Sequence, residues 1–293
     1  MARLNVQRAL RNTYGPWALV AGASEGLGAA FAELLASLGF NVVLVARRKS
    51  MLESLASGLE TDHGVTTRCV VADLGREDAV RSVLESAADL DIGLMVYNAA
   101  HAPIGFFADR EMEDLTSVVH VNARGPVQLI HTLLPQLLRR VEGPRGESAA
   151  RRSGIILMSS LSGDRGSPRV ATYAASKAFT TILAQGLWHE LRDRGVDVTA
   201  CVAGAIRTPG YSSARDGSGH GDAPGTLDAH HVATAAIRGL GRGPVIVPGV
   251  VNRLARFLMG RLLPVRLSVR LMAASTRGLG DPVSRTNQMK DGS

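Results

Sequence analysis

The chain has 293 residues, 45% hydrophobic and 20% charged, with a net charge of +7. That length and apolar content suffice for a large core without disulfides or a structural metal, which excludes fibrous, disulfide-scaffolded and disordered chains. Cys69 and Cys201 lie in short apolar runs and are expected to be reduced core thiols of a cytoplasmic protein. Arg and Asn interrupt the start too often for a signal peptide, and no run of 18 apolar residues is present to span a membrane.

Short Val-, Ile- and Leu-rich runs alternate with amphipathic stretches. In chain order the spacing predicts strand 17–21, helix 27–38, strand 41–46, helix 50–60, strand 67–71 and helix 77–88. It continues with strand 92–97, helix 112–140, strand 155–158, helix 173–192 and strand 196–202. Strand–helix alternation of this kind predicts an α/β fold, a doubly wound parallel sheet with helices on both faces. No linker divides it: a single catalytic domain is expected over 1–248, followed by a helical extension over 249–293. The segment 142–153 reads as a polar surface loop, and 209–225, rich in Gly, Ser and Asp, as a mobile loop too polar to pack.

The first strand runs directly into Gly22-Ala23-Ser24-Glu25-Gly26-Leu27-Gly28, and a helix starts at its end. Strand, Gly-rich turn, helix is the geometry in which free backbone N–H groups and the helix dipole face an anion such as a pyrophosphate. The spacing Gly-x₃-Gly-x-Gly differs from the commoner Gly-x-Gly-x₂-Gly, and an ordinary tight turn is the plain alternative.

From Tyr14 to Gly28 the chain resembles the nucleotide loop of the short-chain dehydrogenase/reductases, in the branch of 17β-hydroxysteroid and 3-ketoacyl reductases and their bacterial relatives. The resemblance continues in register through Asp73-Leu74, Asn98-Ala99-Ala100, Asn122, Ser160, Tyr173-x₃-Lys177 and Ala203-Gly204-x₃-Thr208. It implies a Rossmann-like fold and a nicotinamide cofactor held by Gly22, Ser24, Glu25, Gly26, Leu27, Gly28, Asp73, Leu74, Asn98, Ala99, Ala100, Tyr173, Lys177, Gly204, Ile206 and Thr208. For Asp73 an N-cap of the next helix is an equal alternative. Two departures stand out: Ala100 replaces the usual Gly, and Ala203 the usual Pro.

The second strand ends in Arg47-Arg48-Lys49, with no acid to accept from the 2′-hydroxyl of NAD. Guanidinium groups suit a 2′-phosphate, so NADPH is expected over NAD. By resemblance Ser24 and Arg47 flank that phosphate, with Arg48 as second candidate; a solvated basic helix start is the alternative.

Tyr173 and Lys177 are four apart in a helical run and share a face, and an adjacent ammonium is expected to pull the phenol toward the operating range. Ser160 ends a strand 13 residues before Tyr173, the family spacing, and Ser159 is expected to point to the opposite face. Lysines occur only at 49, 177 and 290, so keeping one here points to a site that Arg does not serve. The resemblance adds Asn122 as holder of a proton-relaying water. The eight histidines lack ligand spacing, so no metal is expected; they read as surface or cap residues, with His101, on the loop after the fourth strand, a candidate for substrate contact.

The expected function is hydride transfer between nicotinamide and a carbonyl or secondary alcohol of an apolar substrate (acyl, steroid or lipid-like) by a homo-oligomer. The alternative is a catalytically silent nucleotide-sensing or scaffold protein on the same fold. Eight arginines and no acid lie between Ala229 and Gly280, exceeding the whole net charge. Without interleaved aromatics this argues against nucleic acid. On a helical wheel of 250–263, Arg253, Arg256 and Arg261 share one arc and Leu254, Leu258, Met259 and Leu262 the other, with Phe257 the exception. Such a stretch either lies in an anionic membrane interface, a peripheral contact through 250–276, or packs its apolar face on the domain or a second subunit.

Overall fold

A computed structural model describes residues 9–142, 151–215 and 222–276. The strands are β1 (Trp17–Ala21), β2 (Asn41–Ala46), β3 (Thr67–Val71), β4 (Ile92–Tyr97), β5 (Ser153–Ser160) and β6 (Val196–Ala203), followed by the two-residue strands β7 (Ile206–Arg207), β8 (Leu227–Asp228) and β9 (Val245–Ile246). The helices are α1 (Gly26–Ser37), α2 (Lys49–His63), α3 (Ala79–Glu85), α4 (Met112–Val119), α5 (Gly125–Glu142), α6 (Ala171–Leu191), α7 (Pro209–Arg215), α8 (Ala229–Gly239), α9 (Val250–Phe257) and α10 (Val265–Thr276).

Seven strands form one parallel sheet in the order β3-β2-β1-β4-β5-β6-β9, and β7 pairs with β8 beyond the end of β6. In β1, Ala18 and Val20 enter one buried cluster, while Leu19 and Ala21 enter the other. Both faces are covered, which is why the strand sequences read as continuous apolar runs. Strand order reverses between β1 and β4, so their carboxyl ends diverge and open a crevice there.

The expected elements are present, with shifted ends. The predicted helix 77–88 shortens to Ala79–Glu85, and β5 lengthens to include Ser159 and Ser160. Strands β7–β9 carry no legible period because each is two residues long, whereas helix α8 is absent from the expected elements although Val232, Ala233, Ala236 and Ile237 recur at helical spacing. The expectation that 209–225 stays unpacked is corrected in its described parts. Residues 209–215 are helical, the Tyr211 hydroxyl accepts from the Ala223 N–H at 3.2 Å, and Arg207 pairs with Asp222 at 2.6 Å. Most of the predicted loop 142–153 lies outside the described residues.

At the opposite end of the sheet from the crevice, Asp197 is buried in β6. Its carboxylate accepts from Arg152 at 2.6 and 2.8 Å and from the Tyr14 hydroxyl at 2.7 Å. Removing one partner of a buried pair strands the other charge. Arg152→Leu is therefore expected to lower unfolding free energy by about 3 kcal/mol, read in urea denaturation, with the slope of the transition unchanged.

The C-terminal helices dock by their polar side. Asn252, Ser268 and Thr276 are buried together with one large apolar side chain, Met272, whereas Val250, Leu254, Phe257 and Leu262 are more than half exposed. This corrects the expectation that the apolar face packs on the domain. Phe257 joins the apolar residues instead of breaking their pattern, and Arg256 leaves the arginine arc to pair with Asp164 at 3.1 Å. The reason lies in the partner surface: the segment between β5 and α6 offers Asp164, Arg165 and main-chain carbonyls, not an apolar groove.

Candidate active site at the strand-order reversal

The crevice begins with the turn after β1. Gly22 has φ +83°, and a Cβ there would lie 2.6 Å from the Ala99 backbone. A Cβ on Gly28 would lie 1.8 Å from the Gly22 carbonyl oxygen. Only glycine permits this close turn at both positions. The Asn98 amide donates to the Gly22 carbonyl at 3.0 Å, and Asn98 and Ala99 N–H groups donate to the Ala21 carbonyl at 2.9 and 2.8 Å, locking the ends of β1 and β4 together. Helix α1 starts here without a side-chain cap and without an acid in its first turn. A backbone cradle and an uncapped positive helix end match the pyrophosphate of a dinucleotide in donor type and sign.

Beside that turn Arg48, the second candidate, is the arginine that meets Ser24. Arg48 donates to the Ser24 hydroxyl at 3.0 Å and pairs with Glu25 at 2.7 Å. Arg47 is exposed. Residue 48 immediately precedes α2, where the backbone turns its side chain toward the loop. Asp73 is not an N-cap: its carboxylate accepts from the Gly75 N–H at 3.0 Å, and the next helix follows Asp78. Leu74 is buried against Val70 and Val83 in the cluster on that side of the sheet. On the far side, the Thr208 side chain packs on Gly26, and Ile206 opens β7 two residues after Gly204.

Ser160 ends β5 beside Tyr173 on α6, and its hydroxyl accepts from the Ser162 N–H at 3.2 Å. Ser159 faces away, donating to the Lys177 carbonyl at 2.7 Å. Lys177 lies one turn after Tyr173. Its Nζ donates to the Met158 carbonyl at 2.8 Å and stands 5.5 Å from the Tyr173 ring centre. Burial pushes the Lys177 ammonium down to about 8. Desolvation also pushes the Tyr173 phenol up, opposed by Ser160. The shift is therefore upward, opposite to the expected pull toward the operating range.

Asn122 sits in a π-helical segment, His120–Arg124, that joins α4 to α5. Pro126 has no N–H to donate to Asn122 or Val121, so the regular ladder fails there. The Tyr97 hydroxyl donates to the Val121 carbonyl at 2.6 Å instead. The Asn122 side chain is engaged on three sides, accepting from the His101 N–H at 2.8 Å and donating to the His101 carbonyl at 2.9 Å and Ser176 Oγ at 3.0 Å. It braces the loop after β4, including Ala100, against the helix that carries Tyr173 and Lys177. The His101 ring lies 3.7 Å from the Asp114 carboxylate.

Sequence reasoning missed the contact between the extension and the segment linking β5 to α6. Pro264 has no N–H for the Gly260 carbonyl, and Arg165 donates to that oxygen at 2.9 Å. Arg169 donates to the Thr276 carbonyl at 2.9 Å, and Thr276 donates to the Pro168 carbonyl at 3.1 Å. Asn252 donates to the Gly225 and Pro248 carbonyls, both at 3.1 Å, and packs on Gly204. Pro264 was the available signal, because a proline after a helical run frees a carbonyl that something must satisfy.

The family model for short chain dehydrogenases matches residues 16–218. The chain belongs to that family. A 7beta-hydroxysteroid dehydrogenase of Collinsella aerofaciens is 31% identical over 246 residues, covering 83% of this chain and 90% of that protein. A very-long-chain 3-oxoacyl-CoA reductase of Laccaria bicolor is 34% identical over 188 residues, and this chain spans about half of its length, 53%. Among solved structures, one from work on 7beta-hydroxysteroid dehydrogenase stereoselectivity superposes with TM-score 0.80 at 29% identity, over 90% of this chain and 98% of that one. A short-chain dehydrogenase from Sphingobium yanoikuyae in complex with NADPH gives 0.70 at 28%, over 80% and 89%. This short-chain dehydrogenase is an oxidoreductase of the hydride-transfer type acting on CH–OH or C=O groups. Among its described residues no helix is long and apolar enough to cross a membrane.

Proposed function

We propose that this short-chain dehydrogenase uses NADPH to interconvert a ketone and a secondary alcohol on an apolar substrate. The observation that carries the reading is the grouping of Ser160, at the carboxyl end of β5, with Tyr173 and with Lys177, whose Nζ stands 5.5 Å from the Tyr173 ring centre. Bound NADPH supplies the hydride. Tyr173 gives the carbonyl oxygen its proton in reduction and takes it back in oxidation. Ser160 holds that oxygen beside the phenol, and Lys177 supplies positive charge beneath it. Asn122 is a positioning residue that keeps the loop after β4 and the catalytic helix in register.

The turn Gly22–Gly28, with Ser24, Glu25, Gly26 and Leu27, supports pyrophosphate binding. Asp73, Leu74, Asn98, Ala99 and Ala100 line the adenosine side, and Gly204, Ile206 and Thr208 the nicotinamide side. Arg48, Arg47 and Ser24 support a 2′-phosphate, since no acid ends β2. The small hollow beside Tyr173 combines Phe107, Leu115, Val118 and Val170 with Arg110 and Arg169, so the apolar substrate class rests on the similarity to hydroxysteroid and 3-oxoacyl relatives. Exposed Val127, Phe179 and Ile182 on α5 and α6 support a homo-oligomer.

Fluorescence titration tests the cofactor choice. The native protein is expected to bind NADPH more tightly than NADH, and Arg48→Ala to weaken NADPH about 10- to 100-fold while leaving NADH unchanged. Equal affinity of the native protein for the two cofactors would overturn the NADPH reading. An NADPH-coupled panel of lipid-like against small polar ketones tests the substrate class, with faster turnover expected on the former.

A further inference from the structure

The two C-terminal helices present an apolar face that nothing among the described residues covers. Val250, Leu254, Phe257 and Leu258 follow one another at helical spacing along α9 and just past it, and Leu262 and Val265 continue the strip, all at least 37% exposed. Beyond the bend at Pro264, Leu267 and Leu271 extend it. This is a run of large side chains on the outside, while the polar residues of the same helices hold the domain.

Charge decides what fits this face. Arg253, Arg261, Arg266 and Arg270 are exposed around it, and no Asp or Glu occurs from Ala229 to Thr276. A second copy docked symmetrically would set arginine against arginine with no acid to offset it. An anionic lipid surface meets both halves of the pattern: acyl chains take the leucines and Phe257, and headgroup phosphates take the guanidiniums.

We propose that the exposed face of Val250–Thr276 seats this enzyme on an anionic membrane surface, with the polar side of the same helices fixed to the segment between Ser160 and Tyr173. The surface then lies next to the site, within reach of a ketone dissolved in lipid. That consequence for substrate delivery rests on the reductase reading, whereas vesicle binding does not, so the two fail separately.

Sedimentation of the full chain with vesicles tests it. Vesicles of phosphatidylglycerol mixed with phosphatidylcholine are expected to carry the protein down at low salt, and phosphatidylcholine alone to leave it in solution. Binding is expected to weaken as salt rises. Leu254→Asp with Phe257→Asp is expected to lower the partition coefficient at least tenfold, with the melting temperature retained because both side chains are already exposed. Arg253→Gln and Arg261→Gln are each expected to lower it about fivefold. Absence of binding to anionic vesicles at low salt overturns the proposal, as does binding that the paired Asp substitutions leave intact. Analytical ultracentrifugation supplies a further check: if those substitutions dissociate an oligomer, the face belongs to a second copy and the membrane assignment falls.

Discussion

Tyr173→Phe is expected to reduce turnover by about 10²- to 10⁴-fold while leaving NADPH affinity within a factor of two. The substitution removes one hydroxyl from a half-buried ring and leaves the ring's packing on α6 in place. What is lost is the proton donor to the carbonyl oxygen. The Ser160 hydroxyl still accepts from the Ser162 N–H at 3.2 Å, so no large rearrangement should follow. Single-turnover rates with NADPH, compared with a fluorescence titration, separate lost chemistry from lost binding. Near-native turnover on a true substrate would remove Tyr173 from the role of proton donor.

Lys177→Met is expected to abolish activity and, in the absence of cofactor, to raise stability. The ammonium is buried and is pushed from its ordinary value down to about 8. Carrying that charge at neutral pH therefore costs the folded state about 3 kcal/mol. Met fills similar space without charge, but the Met158 carbonyl loses its donor, which returns about 1 kcal/mol. A net gain of about 2 kcal/mol, or a melting temperature several degrees higher, is the expected balance. The pH dependence identifies the cause. Between about pH 8 and 10 the unfolded native chain keeps the lysine proton that the folded chain has lost, so native stability rises with pH in that window. The Met variant should lack this rise. Above pH 10 the raised phenols of Tyr14, Tyr97 and Tyr173 act in the opposite sense, because the unfolded chain then binds fewer protons than the folded one. A variant no more stable than the native chain between pH 7 and 8 would mean that the buried ammonium is better compensated than its surroundings indicate.

Local chemistry sets much of this protein. The alternation of apolar runs with amphipathic stretches specifies the parallel sheet, because strands covered on both faces must be apolar throughout. Glycine at 22 and 28 specifies the turn, since no other residue tolerates those approaches. Tyr173 and Lys177 share a helix face by spacing alone, and alternation along β5 sends Ser160 and Ser159 opposite ways. The remaining features depend on what lies across space from each residue. Arg48 rather than Arg47 meets Ser24 because the entry to α2 sets their directions, although both are arginines next to each other in sequence. The phenol of Tyr173 rises instead of falling because of desolvation by the surrounding fold, which no local pattern reports. Asn122 takes its place because Pro126 breaks a ladder and the Tyr97 hydroxyl from another strand fills the gap. The helical wheel of the C-terminal segment separates arginine from leucine, but it cannot say which side faces the protein. That was decided by Asp164, Arg165 and the carbonyls of a distant loop, whose polar groups had to be satisfied and so drew the polar face inward.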